Sequence, residues 1–333
     1  MNILVTGGAG YIGSITAQHL IERGHTVVVV DNLQTGHRAA VPADAIFYER
    51  DIRDSELVAR IIAEHNIDAV IHFAAVSLVG ESMTDPLKYF TDNTVATLSL
   101  LDTVVRAGVQ RIIFSSTATL YGVPDAVPIP ESAPVRITNV YGETKWTIER
   151  ALAWLQQLHG IGFTALRYFN ACGAVPGYGE DHTPETHLIP IVLEVAAGKR
   201  DAVTIFGADY DTPDGTNIRD YVHVRDLAHA HALAVEALQP GQANTYNVGL
   251  GVGYSVREII YVCRTVTKHA IPAVDGARRA GDPPVLVADS AKIRHELGWE
   301  PHYESIAEIV QTAWNWHAKY PDGYRTKNFA EGL

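Results

Sequence analysis

The chain has 333 residues, of which 47% are hydrophobic and 19% are charged, and its formal net charge is -12 at pH 7. This balance indicates a globular protein with a sizeable core, and the negative charge argues against a general affinity for nucleic acid or anionic membranes. Cys172 and Cys263 give no disulfide framework and fit a reducing cytoplasm. We expect neither a signal peptide nor a membrane span, because no suitable apolar run is present.

The first predicted unit is a strand, a glycine turn and a helix. Residues 3–6 are apolar, the segment 7–13 is rich in glycine, and apolar residues then recur at helical spacing. In such a unit Gly7 permits the tight turn, Gly10 lets the backbone approach a pyrophosphate, and Gly13 lets the helix pack closely on the strand. The helix N-terminus then faces the negative charge of a dinucleotide.

A second apolar strand at residues 26–30 ends at Asp31. An acidic side chain at this place accepts hydrogen bonds from the adenosine ribose hydroxyls and repels a 2′-phosphate. The position therefore favours NAD over NADP. The alternative is an ordinary aspartate in a surface loop.

The alternation of strands and helices continues through the first half. The predicted elements are strands at 45–49, 69–73 and 111–115 and helices at 55–65 and near 86–107. This order indicates an α/β fold with a doubly wound parallel sheet. Asp51 and the segment 73–77 then fall at the carboxyl edge, where such sheets bind ligands. Asp51 either bonds the adenine or caps a helix.

The strand at 111–115 runs into a group of hydroxyl side chains, and a proline-rich loop leads from there to a helix that carries Tyr141 and Lys145. Residues four positions apart share one helix face, and the crossover returns this face to the carboxyl edge. Lowering the pKa of a tyrosine from about 10 to neutrality costs roughly 4 kcal/mol. A cation at about 4 Å supplies about that much in an effective dielectric near 20. We expect Lys145 alone nearly to make Tyr141 a base, with a second positive charge, such as an oxidised nicotinamide ring, leaving a margin; the alternative is an ordinary helix face.

From residue 171 the alternation loosens, which predicts a second, smaller mixed α/β domain. We assign residues 1–170 to the first domain, to which the segment 222–249 returns, and 171–333 mainly to the second. Further helices are expected at 188–197, 224–238, 256–266 and 306–317. The histidines, among them His229 and His231, show no ligand spacing backed by cysteines or acids, so we predict no metal. Cys172 is expected to be a small buried filler.

Together, the glycine turn, Asp31, the hydroxyl segment 115–117 and the pair Tyr141 and Lys145 make the whole chain resemble the extended short-chain dehydrogenase/reductase family. Within it, the chain is most similar to the nucleotide-sugar 4-epimerases that interconvert UDP-galactose and UDP-glucose. Five segments carry that closer resemblance: 31–33, 115–122, 166–170, 205–224 and 277–282. The resemblance implies a Rossmann-type NAD-binding domain, a UDP-sugar-binding second domain, a homodimer and a role in galactose metabolism.

The resemblance also implies roles for individual residues. Thr117 takes the place of the catalytic hydroxyl, Tyr141 that of the general base, and Lys145 that of the cation that tunes the base and contacts the nicotinamide ribose. The other positions that match the family's NAD site are Gly7, Gly10, Tyr11, Ile12, Gly13, Asp31, Asn32, Asp51, Ile52, Phe73, Ala74, Asn93 and Phe169. Those that match nucleotide-sugar contacts are Asn170, His187, Leu188, Arg219, Arg279 and Asp282. His187 departs from the asparagine of some members, and the alternative for each arginine is a surface ion pair.

The implied reaction is a reversible inversion at carbon 4 of a UDP-hexose, in which tightly bound NAD accepts the hydride and returns it to the other face. A 4,6-dehydratase would need an acid and a base after the hydroxyl, but Ala118 and Thr119 follow Thr117. A UDP-N-acetylglucosamine or UDP-glucuronate 4-epimerase stays open, because Leu286 stands where strict glucose enzymes have a tyrosine. The retained Tyr141 and Lys145 argue against a catalytically silent NAD sensor.

Overall fold

The computed structural model describes residues 1–279 and 282–325. The strands are β1 (Asn2–Thr6), β2 (Thr26–Asp31), β3 (Ile46–Glu49), β4 (Ala69–His72), β5 (Arg111–Thr117), β6 (Gly162–Tyr168), β7 (Asn170–Cys172), β8 (Val203–Phe206), β9 (Ile218–His223), β10 (Ala243–Val248), β11 (Gly253–Ser255), β12 (Ala273–Gly276) and β13 (Val285–Leu286). The α-helices are α1 (Tyr11–Glu22), α2 (Ser55–Glu64), α3 (Val79–Ser82), α4 (Pro86–Tyr89), α5 (Ala96–Arg106), α6 (Val140–His159), α7 (Leu188–Ala196), α8 (Val224–Ala237), α9 (Val256–Thr267), α10 (Ala291–Leu297) and α11 (Ile306–Lys319). Within these ranges, no helix is both long and apolar enough to cross a membrane.

Seven parallel strands form the large sheet, in the order β10, β6, β5, β4, β1, β2, β3. The strand order reverses between β1 and β4, so the connections leave these two strands in opposite directions. Ligands bind at such a switch point in doubly wound sheets, outside the carboxyl ends of the strands. The predicted fold class is therefore confirmed, and β10 extends the sheet beyond the strands of the first half.

The continuous apolar run of β2 shows why this sheet is buried on both faces. Residues Val27 to Val30 are at most 1% exposed. Val27 and Val29 belong to one hydrophobic cluster, whereas Val28 and Val30 belong to another on the opposite face. Successive side chains of a strand point to opposite faces, so an unbroken run of valine fills two cores at once.

The later strands form a separate layer around β9. This strand pairs with β7, β11 and β13, while β8 pairs with β12 in a two-stranded sheet. Helices α7, α9 and α11 cover a third hydrophobic cluster beside these strands. Cys172 and Cys263 are buried in that cluster without a disulfide.

The long helix expected near 86–107 is present but not uniform. Between α4 and α5 the backbone widens into a π-helical turn at Phe90–Val95. Such turns are frequent at functional sites because they shift side chains out of the regular helical register. Asn93 lies in this turn and is buried.

Candidate active site

The glycine turn lies at the carboxyl end of β1, beside the switch point of the sheet. Gly7 has φ of 74°, and a Cβ there would lie 2.5 Å from the amide nitrogen of Ala74. A Cβ on Gly13 would lie 2.1 Å from the carbonyl oxygen of Gly7. Helix α1 starts after Gly10 without any side-chain cap and without an acid in its first turn. The close approach and the uncapped helix N-terminus fit a dinucleotide pyrophosphate.

Asp31 joins the end of β2 to this turn. Its carboxylate accepts hydrogen bonds from the amides of Ala9 at 2.9 Å and Leu33 at 2.8 Å. Burial raises the pKa of Asp31, and these two amides oppose that rise. An ionised carboxylate has about four acceptor positions, so the two amides leave room for ribose hydroxyls. The geometry fits the ribose role that the sequence predicts.

Asp51 is engaged by protein groups. The guanidinium of Arg53 donates two hydrogen bonds to it, at 2.9 and 2.7 Å, and the backbone amide of Arg53 donates a third at 2.9 Å. Asn32 donates a fourth at 3.2 Å. The bonds from Arg53 lower the pKa of Asp51 to about 2. Helix α2 is capped by Asp54 and not by Asp51. The alternative helix-cap role of Asp51 is therefore wrong, while its adenine contact stays a prediction.

Several of the other predicted NAD-site residues are held by the protein itself. The hydroxyl of Tyr11 donates to the carbonyl of Gly173 at 2.6 Å. The side-chain amide of Asn93 bonds both the amide and the carbonyl of Val76 and also donates to Thr144. Asn93 therefore ties the loop after β4 to α6, and only one acceptor position of its oxygen stays free. Ile52 and Phe169 are buried in hydrophobic clusters, Ile12 packs beside one, and Phe73 and Ala74 follow β4 directly.

The start of α6 is fixed by its N-cap. The side chain of Asn139 accepts a hydrogen bond from the amide of Gly142 at 2.8 Å. Asparagine is among the preferred residues for this position because it satisfies an amide that the helix leaves unpaired. Tyr141 is thereby held in the first turn of the helix, facing the end of β5.

The structure brings Thr117, Tyr141 and Lys145 together. Thr117 is the last residue of β5, and its side chain hydrogen-bonds the phenol of Tyr141. Lys145 is 3% exposed, and its ammonium lies 5.8 Å from the centroid of the Tyr141 ring. The same ammonium donates to the backbone carbonyl of Ser115 at 2.9 Å. The three side chains therefore form one site at the carboxyl edge of the sheet.

The expectation that Lys145 alone nearly makes Tyr141 a base is wrong. Burial raises the pKa of Tyr141 to about 12, against the lowering effect of the hydrogen bond with Thr117. Burial also lowers the pKa of Lys145 to about 7. The ammonium is directed to the carbonyl of Ser115 and not to the phenol oxygen, so its attraction does not offset the loss of water around both groups. A further positive charge is needed before Tyr141 ionises.

A buried ion pair that sequence spacing does not indicate lies behind β5. Arg167 on β6 donates to both carboxylate oxygens of Glu149 on α6, at 2.6 and 3.0 Å, and Ser116 donates to the same carboxylate at 2.5 Å. The side chains of Arg167 and Glu149 are 7% and 5% exposed. The signal for this pair in the sequence is an arginine inside the apolar run of β6, because a charged side chain is seldom buried without a partner. The pair fixes α6 against β5 and β6.

We expect Glu149→Gln to lower the free energy of unfolding by about 3–5 kcal/mol, because it leaves the Arg167 charge buried without a counter-ion. Urea denaturation measures this value. Glu143→Gln, on the exposed face of the same helix, should change it by less than about 0.5 kcal/mol. Equal effects of the two substitutions would contradict a stabilising role of the buried pair.

Two of the predicted nucleotide-sugar residues pair with each other. Arg219 on β9 donates to Asp282 at 2.5 Å, and Asn217 donates to the other oxygen of the same carboxylate at 2.8 Å. Arg279 is exposed, with its guanidinium 4.0 Å from the centroid of the Phe206 ring. Ala280 and Gly281 of the same predicted segment lie outside the described residues. The second arginine therefore keeps its donors free of acidic partners among the described side chains.

Among the remaining predicted substrate residues, Asn170 lies at the junction of the two layers. Asn170 starts β7, is exposed and hydrogen-bonds the side chain of Tyr221. His187 is the N-cap residue of α7, and Leu188 is its first residue. Leu286 is 7% exposed and packs in a cluster with Ala118 and Phe169. The strand β7 follows β6 after one residue, so this junction is adjacent to the end of β5.

A group of acids and histidines that was not predicted from the sequence precedes α7. Side-chain ligand atoms of Glu180, His182, Glu185 and His187 all lie within 4.8 Å of one another. Its signal in the sequence is a glutamate followed two residues later by a histidine, repeated after five residues. The premise that no histidine is backed by acids therefore does not hold for this segment, although the prediction that no metal binds is not tested by it.

Comparisons with known proteins agree over almost the whole chain. Residues 3–249 match the NAD dependent epimerase/dehydratase family. A UDP-glucose 4-epimerase of Halalkalibacterium halodurans is 54% identical over 331 residues, 98% of this chain and 99% of that relative. A crystal structure of a UDP-glucose 4-epimerase is 49% identical, with a TM-score of 0.93 over 97% of this chain and 99% of that one. The Bifidobacterium longum UDP-glucose 4-epimerase, solved with NAD+ and UDP, is 38% identical, with a TM-score of 0.93 over 97% of this chain and 100% of that one.

Proposed function

The chain belongs to the NAD dependent epimerase/dehydratase family, and from this premise we propose that it is a UDP-glucose 4-epimerase that interconverts UDP-galactose and UDP-glucose. The observation that carries the proposal is the side-chain group of Thr117, Tyr141 and Lys145 beside an uncapped glycine turn. Relatives of this name match the chain from end to end, so the assignment does not rest on the fold alone.

NAD is the cofactor, held by the glycine turn and by Asp31. When bound, it accepts and returns the hydride of carbon 4. Tyr141 takes the proton of the 4-hydroxyl group, and Thr117 holds both the phenol and that hydroxyl in line by hydrogen bonding. Lys145 supplies positive charge beside the phenol. Arg219 and Arg279 bind the diphosphate, which leaves the hexose free to present either face to the base.

The surroundings of Thr117 favour a return of the hydride over elimination of water. The two residues after it, Ala118 and Thr119, carry no carboxylate. The amide of Thr119 donates to Thr117 at 3.1 Å, which holds this short segment against the hydroxyl. Elimination needs an acid and a base at this place, so a 4,6-dehydratase activity lacks its residues.

The test is to incubate the purified protein with UDP-galactose without added NAD and to look for UDP-glucose. Formation of UDP-glucose supports both the reaction and a cofactor that is retained during purification. A product lighter by one water would instead indicate a dehydratase. No conversion, with or without added NAD, would contradict the proposal.

Leu286 favours a wider sugar range that includes UDP-N-acetylglucosamine. This residue pairs in register with Arg219 across β13 and β9 and contacts the cluster of Ala118 and Phe169. Leucine is smaller than tyrosine, so an acetamido group at carbon 2 meets less bulk at this position. UDP-glucuronate is the other alternative substrate, and assays with all three nucleotide sugars separate these activities.

We expect Leu286→Tyr to reduce turnover of UDP-N-acetylglucosamine about 10-fold or more relative to UDP-glucose, since overpacking costs about 1–3 kcal/mol. Parallel measurement of kcat/KM for both substrates gives this ratio. Leu286→Met conserves volume and should leave the ratio unchanged. An equal loss with both substrates would show that the residue does not select the sugar.

We further propose a homodimer formed by the outer faces of α5 and α6. Five large apolar side chains on and beside these helices are exposed to solvent by 42% to 75%. They are Leu87, Val95, Leu98, Trp154 and Leu158. The two helices share one buried cluster, so these side chains lie on neighbouring surfaces. An extended apolar surface of this kind is typical of a protein interface.

We expect Trp154→Glu combined with Leu158→Glu to yield a monomer, because both charges would be buried in the interface. Light scattering coupled to size-exclusion chromatography measures the molar mass. Tyr261→Glu, an equally exposed site on α9, should leave the dimer intact. A dimer in both variants would contradict this interface, and a monomeric native protein would contradict the homodimer.

A cytoplasmic location and a role in galactose metabolism complete the proposal. Both cysteines are buried and unpaired, which suits a reducing compartment. Interconversion of UDP-galactose and UDP-glucose links galactose use to glucose. Fractionation of the source cells and growth of a deletion strain on galactose test these two points.

A further inference from the structure

The segment between β7 and α7 gathers four potential metal ligands. The Nδ1 atom of His187 lies 2.9 Å from Oε1 of Glu180 and 2.9 Å from Oε1 of Glu185. The Nδ1 atom of His182 lies 3.1 Å from Oε1 of Glu180 and 3.8 Å from Oε2 of Glu185. Two imidazole nitrogens and two carboxylates therefore face one common point.

These separations suit a small tetrahedral ion. Bonds of about 2.0–2.2 Å, as zinc makes to histidine and carboxylate, separate the ligand atoms of a tetrahedron by about 3.3–3.6 Å. Three of the four nitrogen–oxygen distances are shorter than this range and one, at 3.8 Å, is longer. None of the ligand atoms is more than 4.8 Å from another. Small side-chain rotations are enough to close the geometry.

The two buried carboxylates of the group suit a cation. The Glu180 and Glu185 side chains are each 6% exposed, and burial of two carboxylates is costly unless positive charge accompanies them. A divalent ion bound to two carboxylates and two neutral imidazoles gives a site without net charge.

The carboxylate of Glu185 is already oriented by the backbone. Its Oε1 atom accepts hydrogen bonds from the amides of Thr186 and His187, both at 2.7 Å. Such bonds to the ligands themselves fix their direction at metal sites and raise affinity. The histidine side chains are 25% and 45% exposed, which leaves an entry path for the ion.

We propose that Glu180, His182, Glu185 and His187 bind a divalent transition-metal ion, with zinc as the preferred metal. Mixed nitrogen and oxygen ligands favour zinc over magnesium or calcium, which take oxygen. The ion joins the two ends of the loop that leads into α7, and the ring of His182 lies 6.3 Å from that of Tyr11 at the start of α1. Its role is to hold this loop against the glycine turn. The proposal rests on these four side chains, of which His187 is also a predicted nucleotide-sugar contact.

The first experiment measures metal content. The untagged full chain is equilibrated with zinc, passed through metal-free buffer and analysed by mass spectrometry for the metal. We expect one zinc ion per chain. His182→Asn combined with Glu185→Gln should lower zinc affinity, measured by competition with a coloured chelator, by on the order of 100-fold or more, since even loss of an outer partner costs about 10–100-fold.

The matched control is His25→Asn. His25 also contacts a glutamate, since its Nε2 lies 2.9 Å from Glu236, but no second histidine within residues 1–279 and 282–325 joins that pair. Zinc affinity should be unchanged in this variant. Equal zinc retention by the double variant and the native protein would overturn the proposal.

A second measurement uses only the native protein and does not depend on folding of a variant. Cobalt is loaded in place of zinc, and its visible spectrum is recorded. Tetrahedral cobalt absorbs far more strongly than octahedral cobalt, so we expect intense visible bands that zinc abolishes. A spectrum identical to that of cobalt in buffer would show that the four residues form only an internal network of histidine and glutamate hydrogen bonds.

Discussion

Replacement of Tyr141 by phenylalanine is expected to lower kcat by about 10²–10⁴-fold, the usual contribution of a general base. The substitution keeps the ring and its packing beside Lys145, and it removes only the hydroxyl that bonds Thr117. The cofactor is held at the glycine turn and at Asp31, so NAD content should be unchanged. Turnover of UDP-galactose and the NAD released on denaturation are the two measurements.

Tyr261→Phe is the matched control for this experiment. Its side chain is 69% exposed on α9, a helix that packs on the cluster of the second layer, so both turnover and NAD content should equal those of the native protein. If Tyr141→Phe turned over at the native rate, Tyr141 would not be the base. If it lost NAD together with activity, the hydroxyl would serve cofactor binding instead.

The fold was predictable because its signals are local. The apolar run at Val27 to Val30 can be buried on both faces only inside a parallel sheet, and the turn that begins at Gly7 has room for no other residue at that point. Strand β10 lies in the segment 222–249, which the sequence analysis assigns to the first domain. It joins the large sheet beside β6 after the chain has crossed into the second layer.

Sequence spacing predicts which side chains of the candidate site share one element, but it does not predict their contacts with other elements. The four-residue separation of Tyr141 and Lys145 correctly predicts one helix face, but it does not say what the ammonium contacts. That contact is the carbonyl of Ser115, which belongs to a different element. The pair of Arg167 and Glu149 also depends on two elements meeting in space. The direction of the pKa shifts at the site therefore could not be derived from spacing.

Replacement of Lys145 by methionine is expected to lower turnover at pH 7 by about 10-fold or more, because a shift of one pKa unit in the base, about 1.4 kcal/mol, already changes the rate about tenfold. The cation beside the phenol favours its ionised form, so its removal raises the pKa of Tyr141. The acid limb of the pH–rate profile should therefore move to higher pH, and activity should recover in part on the alkaline side. A uniform loss at every pH would instead indicate a lost cofactor contact.

The same substitution gives a stability test of the buried ammonium. Burial lowers the pKa of Lys145 to about 7, whereas in the unfolded chain it stays near its usual value of about 10.4. Between these two values the unfolded chain binds more protons, so the free energy of unfolding of the native protein rises with pH. Below about pH 7 the cost of burying the charge is fully present. Lys145→Met should thus be more stable than the native protein by a few kcal/mol near pH 6.

This advantage of Lys145→Met should shrink as the pH rises, because methionine carries no proton and the native lysine then folds in its neutral form. Urea denaturation at about pH 6 and about pH 9, with NAD saturating in both proteins, gives the difference. A difference independent of pH would contradict a buried ammonium with a lowered pKa. If this pH dependence is found, the charged form of Lys145 lowers the free energy of unfolding at the same pH at which it favours ionisation of Tyr141. Such a loss of stability is expected of a catalytic group.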